Sequence, residues 1–384
     1  MSSLIRDLAG STAEMLAVFS DEATIIHALR FEVALAHAQA AEGLVSAGQA
    51  KAIAEACALL EIDPAQLAAE AAHSGTLAIP LVRRLRAAIG DPQTAEVVHL
   101  GATSQDVADT VMALQAHAGG ELIARDLSRI AAALALLAET HAATPMLGRT
   151  LLQAARPSTF GLKASHWLLA VDDAVSRFQR EREAALVLQL GGAVGTLADL
   201  SGAGQAVAQR MSADLGLSVA PLPWHARRNT VAGLGTALAI VTGVVAKIAR
   251  DIALMAQTEV AEAFEPQVAG RGGSSIMAHK RNPTGCQIAL SAALRTPGLA
   301  ATLLSALPQE HERGLGGWQA EGPVLVELFQ LTHGAVAAMA LVVEGLEVDT
   351  AAMARNLAAA DVGDDVGDAE AMVARALEQH RKGG

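Results

Sequence analysis

The chain has 384 residues, of which 52% are hydrophobic, 18% charged and 2% aromatic, and its formal net charge is −12. A chain of this length and apolar content can bury a large core, which excludes intrinsic disorder. The acidic balance and scarcity of rings exclude a basic or aromatic platform for nucleic acid, and equally an anionic membrane surface as partner.

From the N-terminus, Arg6, Asp7 and Glu14 interrupt any apolar run, so no secretory signal is expected. Two cysteines, Cys57 and Cys286, cannot make a disulfide framework and fit a reducing, cytoplasmic compartment. Apolar residues recurring at three and four predict helices over residues 26–47, 122–143, 160–188 and 231–263. As a single helix the last would reach about 50 Å. Its first half is apolar nearly all round until Lys247, yet it holds threonines and glycines, so it belongs inside a bundle rather than across a bilayer. Alternating β-branched runs hardly occur, and the fold class expected is all-α.

Punctuation separates three regions: 1–92, ending at the Gly90-Asp91-Pro92 turn; a central 93–341; and an acidic, less apolar 342–384. Thr144-Pro145 and Arg156-Pro157 read as breaks in the middle region, and Gly270-Arg271-Gly272-Gly273 as a hinge-rich loop. The acidic run 361–368 lacks the ligand order of a calcium loop and reads as a solvated turn. No P-loop is present, Gly233-Leu234-Gly235 follows no strand, and the histidines show no metal-ligand spacing, so neither cofactor nor metal is expected.

Three polar segments stand out. His99 to Thr110 contains Thr103-Ser104-Gln105-Asp106, a helix N-terminus whose hydroxyls and free N–H groups suit a carboxylate. Gly148 to Gly161 gathers Arg149, Thr150 and Gln153 ahead of an apolar helix. Gly272 to Pro283 places Ser274 and Ser275 after adjacent glycines and before Lys280-Arg281-Asn282, a composition suited to a loop that closes over an anion.

In this order and spacing the three segments resemble the signatures of the fumarase/aspartase superfamily, whose loop has the form GSSxMPxKxNP. Here that loop is Gly273 to Pro283, with Ala278 where the family usually has proline. The similarity runs from about Phe19 to Asn356. Within the superfamily the chain is similar to the cycloisomerases that lactonize a carboxylated muconate in protocatechuate breakdown, over residues 248–260, 264–266, 310–313 and 318–323. Gly322 stands where a tryptophan is expected, and the C-terminal region is shorter than in relatives.

The resemblance implies a three-region helical fold with a long central bundle. It also implies a cytoplasmic homotetramer whose sites are shared between subunits, and a small polycarboxylate substrate. It assigns Ser274 and Lys280 to catalysis, and His99, Thr103, Ser104, Thr150, Gln153, Asn282 and Arg313 to substrate binding. Two other readings stay open. One is an amino-succinate lyase of the same superfamily, and the other an inactive helical scaffold. Intact Ser274, Lys280 and Asn282 speak against the scaffold. Relatives that expel an amine or hydroxide carry a histidine directly after the threonine of the second segment, where this chain has Leu151, which speaks against the lyase.

Overall fold

The computed structural model describes residues 4–268, 270–273, 277 and 280–383. Among them are fifteen α-helices and three two-stranded pairings. Short helices α1 (Leu4–Asp7) and α2 (Ala13–Val18) lead into α3 (Asp21–Ala41), α4 (Ala47–Leu59), α5 (Pro64–Ser74), α6 (Ala78–Ala88) and α7 (Pro92–Val97). Their starts follow local chemistry. The Ser20 hydroxyl accepts from the Ala23 N–H at 3.1 Å, and Ser46 and Gln49 cap each other reciprocally at 2.9 and 3.2 Å. The predicted helix over 26–47 is therefore α3 alone, shifted forward, because Ser46 opens a new helix.

The centre is a five-helix bundle that runs up and down. Helices α8 (Ser104–Thr140), α11 (Asn229–Met255) and α13 (Gly317–Glu344) start at one end, while α9 (Phe160–Ala185) and α12 (Thr284–Ser305) return. One cluster of apolar side chains fills it, including Leu134, Phe160, Phe178, Leu238, Val241 and Phe329. Between α9 and α11 lie β3 (Val187–Leu188), a short 3₁₀ turn, α10 (Gly204–Leu215) and β4 (Ser218–Val219); a second cluster joins α3, α8 and α10. Helices α14 (Thr350–Ala360) and α15 (Ala369–Gly383) fold back on the strand β1 (Pro145–Thr150) and on α9, respectively.

Two expectations are corrected here. The helix expected over 231–263 stops at Met255, whose carbonyl accepts from the Glu262 N–H at 3.0 Å. The chain turns there through Ala261 (φ 53°) so that the Glu262 carboxylate can be buried. The breaks at Pro145 and Pro157 are not loops. They belong to an antiparallel hairpin, β1 (Pro145–Thr150) with β2 (Gln153–Thr159). A two-stranded ribbon consists only of edges, so proline costs it no essential ladder bond. A further short pair, β5 (Ala263–Phe264) with β6 (Glu347–Val348), ties the exit of α11 to the exit of α13.

Candidate active site

At the bundle end where α8 begins, three of the predicted residues meet. The Asp106 carboxylate accepts from the Thr103 backbone N–H at 2.9 Å, and the Thr103 hydroxyl is left to accept from Arg313 Nη1 at 2.7 Å. Arg313 Nη2 donates to the Ser104 hydroxyl at 3.2 Å and its Nε to Gln105 Oε1 at 3.3 Å. A guanidinium, two hydroxyls and the positive end of a long helix together make a place for a carboxylate. His99 sits four residues earlier, in left-handed backbone (φ 65°), with Nδ1 2.7 Å from the buried Glu32 carboxylate. Burial disfavours the charged ring, but Glu32 outweighs it, and the His99 pKa is raised above its ordinary value.

Buried charges that the sequence did not reveal hold this end in place. Asp106 is fully buried and accepts from the N–H groups of Gly191 and Gly192, both at 3.0 Å, with His225 Nε2 at 2.6 Å. A side chain at 191 is ruled out there, because its Cβ would lie 2.6 Å from the His225 ring. Just under one turn further along α8, Asp109 accepts a bidentate pair from Arg228 at 2.8 and 2.9 Å and the Trp318 indole N–H at 3.1 Å. Arg228 also donates from Nε to Glu321 at 2.9 Å, and its guanidinium lies 4.7 Å from the Trp224 ring centre. The Glu321 carboxyl is pushed up by burial despite that partner. This clamp joins the first turns of α8, α11 and α13.

The remaining predicted residues lie at the opposite end. Thr150 and Gln153 face each other in register as the last pair of the hairpin, and both are exposed. Between them Leu151 and Leu152 take left-handed backbone (φ 50° and 65°) and are 96% and 75% exposed. Arg149 anchors the hairpin by donating to the buried Glu262 carboxylate at 2.7 and 2.9 Å, which also accepts from Asn356 at 2.8 Å. Lys280 and Asn282 line a polar cavity of about 310 Å³ together with Arg271. The Asn282 N–H donates to Gly272 O at 2.8 Å, closing the loop on itself, and the buried Arg271 Nη2 has no hydrogen-bond partner among the described residues. Ser274 lies outside the described residues.

One chain therefore brings together His99, Thr103, Ser104 and Arg313 at one end of the bundle, while Thr150 and Gln153 on the hairpin and Lys280 and Asn282 on the loop lie apart from them. The 37 residues of α8 separate the ends by roughly 55 Å.

The lyase family's sequence profile matches residues 8–298. The chain belongs to this family. Among curated relatives, the 3-carboxy-cis,cis-muconate cycloisomerase of Bradyrhizobium diazoefficiens is 47% identical over 349 residues, covering 90% of this chain and 77% of the relative. The cycloisomerase of Pseudomonas aeruginosa is 46% identical, covering 90% and 76%. The crystal structure of the 3-carboxy-cis,cis-muconate lactonizing enzyme from Pseudomonas putida superposes with a TM-score of 0.92 at 36% identity, covering 99% of this chain and 100% of that one. The fold is that of the fumarase/aspartase-like lyases, shared also with a fumarate lyase from Mesorhizobium at a TM-score of 0.87 and 29% identity.

Proposed function

We propose that this chain interconverts 3-carboxy-cis,cis-muconate and a carboxymuconolactone. A substrate carboxylate oxygen adds to one double bond, and a proton is placed on the carbon next to another carboxylate. The observation that carries the reading is the Arg313–Thr103–Ser104 clamp at the start of α8, in a chain 47% identical to a cycloisomerase of that substrate. Viewed from the lactone, the reaction removes a proton α to a carboxylate and passes through an aci-carboxylate, so fixed donors and a cation around that carboxylate lower the barrier. In this reading Thr103, Ser104 and Arg313 bind one carboxylate, with His99 beside them. Lys280 and Asn282 bind another from the loop, and Ser274 exchanges the carbon-bound proton, its alkoxide stabilised by the closed loop. Thr150 and Gln153 complete the pocket from the hairpin.

Leu151 favours lactone chemistry over amine release. An amine is a basic leaving group that gains about 10²–10⁴ from a positioned acid, whereas a carboxylate, with a conjugate acid near pKa ~4, needs none.

The two separated groups of site residues are completed by other copies, in a cytoplasmic homotetramer built on the bundle. Its three regions divide near residues 92 and 341, and the enzyme serves the breakdown of aromatic acids. Incubation of the purified protein with 3-carboxymuconate should abolish the diene absorbance. Persistence of that absorbance would overturn the reading. A second reading has a specific support: the nitrosuccinate lyase of Streptomyces davaonensis is 42% identical over 359 residues. Nitrite is also a weakly basic leaving group and tolerates Leu151, so nitrite release from nitrosuccinate is the control assay.

A further inference from the structure

A cavity of about 310 Å³ lies between α8, α11 and α13, and none of the predicted site residues lines it. The cavity is a cleft partly open to solvent, with room for a ring-sized molecule. Apolar cavities of about 150 Å³ already stay dry and admit a benzene-sized molecule.

One position on its wall is a glycine. Gly322 lies in the second turn of α13, and a Cβ there would meet nothing nearer than the Met112 methyl at 3.9 Å. A side chain at 322 would thus project into the void. Glycine weakens a helix interior relative to any ordinary residue, and no close contact demands it here. The short side chains of Ala113, Ala116 and Ala185 line it too, beside the larger Leu234 and Leu325.

The walls define the ligand. Trp224 and Trp318 supply two large aromatic surfaces, against which rings pack favourably. The cation in the wall, Arg228, is engaged by Asp109 and Glu321. An entering anion would find two carboxylates facing a single guanidinium, four of whose five N–H groups are already committed to them. A charged ligand would also lose its hydration without compensation.

We propose that this cavity is a binding site for a neutral, ring-sized apolar molecule, and that Gly322 is the residue that keeps it open. Asp109, Arg228, Trp318 and Glu321 in its wall also hold the Thr103 end in place, so the cavity borders that site without including its predicted residues.

Toluene is the probe. Titration calorimetry on the intact protein should show saturable binding at one site per chain, with a matching rise in the thermal midpoint. In Gly322→Leu, which places a branched side chain in the void, toluene affinity should fall at least tenfold while the circular dichroism is unchanged. Absence of saturable binding to the unmodified protein, or unchanged affinity in Gly322→Leu, overturns the proposal. Should that variant fail to fold, bromobenzene provides the decision on the unmodified protein. Two of its three tryptophans line the cavity. Heavy-atom quenching should therefore saturate, leaving a residual emission from Trp167. Purely collisional, non-saturating quenching overturns the site.

Discussion

Arg313 donates through three nitrogens to side chains of α8, so its guanidinium plane is fixed before any substrate arrives. Such preorganised donors are worth about 10²–10³ in rate each. Arg313→Ala should lower kcat/KM for 3-carboxymuconate by about 10²-fold or more, and Arg313→Lys should restore little of it, because an ammonium cannot reproduce the planar fork. Steady-state kinetics on the two variants checks this, and near-normal turnover in Arg313→Ala would remove the clamp from substrate binding.

His99 makes a pH-dependent contribution to stability. Its folded pKa is raised, because Glu32 outweighs the cost of burial. The stabilisation is therefore complete below the unfolded value of about 6.5 and is lost as pH rises through the higher folded value. Urea midpoints should fall over that interval, and Glu32→Gln should flatten the dependence. An identical slope in Glu32→Gln would dissociate the pair from the effect. Glu32 itself was not legible in the sequence. It occupies a helix position where a charged residue ordinarily faces water, and only the fold shows that it is 1% exposed. The same holds for Arg228, Glu321 and Glu262, whereas Thr103 and Ser104 were legible because hydroxyls cluster at a helix start, and Arg313 only through the family resemblance.

The hairpin of β1 and β2 carries its strain in the open. Leu151 and Leu152 both hold positive φ, a conformation that two-residue turns normally assign to Asn-Gly, and they do so with their side chains almost wholly exposed. This strained, apolar tip is held by Arg149 on the buried Glu262 carboxylate, and in the proposed tetramer it would pack against another chain. Replacing Leu151-Leu152 with Asn-Gly should leave the thermal midpoint unchanged or higher, because the turn relaxes, yet lower kcat/KM at least tenfold. Full activity in that double variant would show the tip to be ornamental. The long helices were readable because period 3.6 is repeated over many turns. The hairpin was not, since its prolines and short strands give no alternation, and the end of α11 at Met255 depends on a long-range event, the burial of Glu262.

Helix α12 carries apolar side chains that this chain leaves uncovered. On α12, Leu294 is 82% and Leu304 50% exposed, and the neighbouring α11 shows Ile240 at 37%. Helix α12 is apolar enough to cross a membrane by length and composition, as are α11 and α13, but α12 is far less buried than either. A second copy with the same flank covers such a surface symmetrically. The proposed tetramer would also account for the separation of the site residues, with the Thr103 end of one chain meeting the Lys280 end of another. Mixing two inactive proteins decides between a shared and a private site. Thr103→Ala and Asn282→Ala should each be nearly inactive alone. When they are unfolded together and refolded into mixed tetramers, sites that draw each segment from a chain intact at that position reappear, about a quarter of the total for random assembly of equal amounts. Activity should therefore rise toward that fraction of the unmodified protein. If each site belonged to one chain, every site in the mixture would carry one substitution or the other, and refolding together would restore nothing.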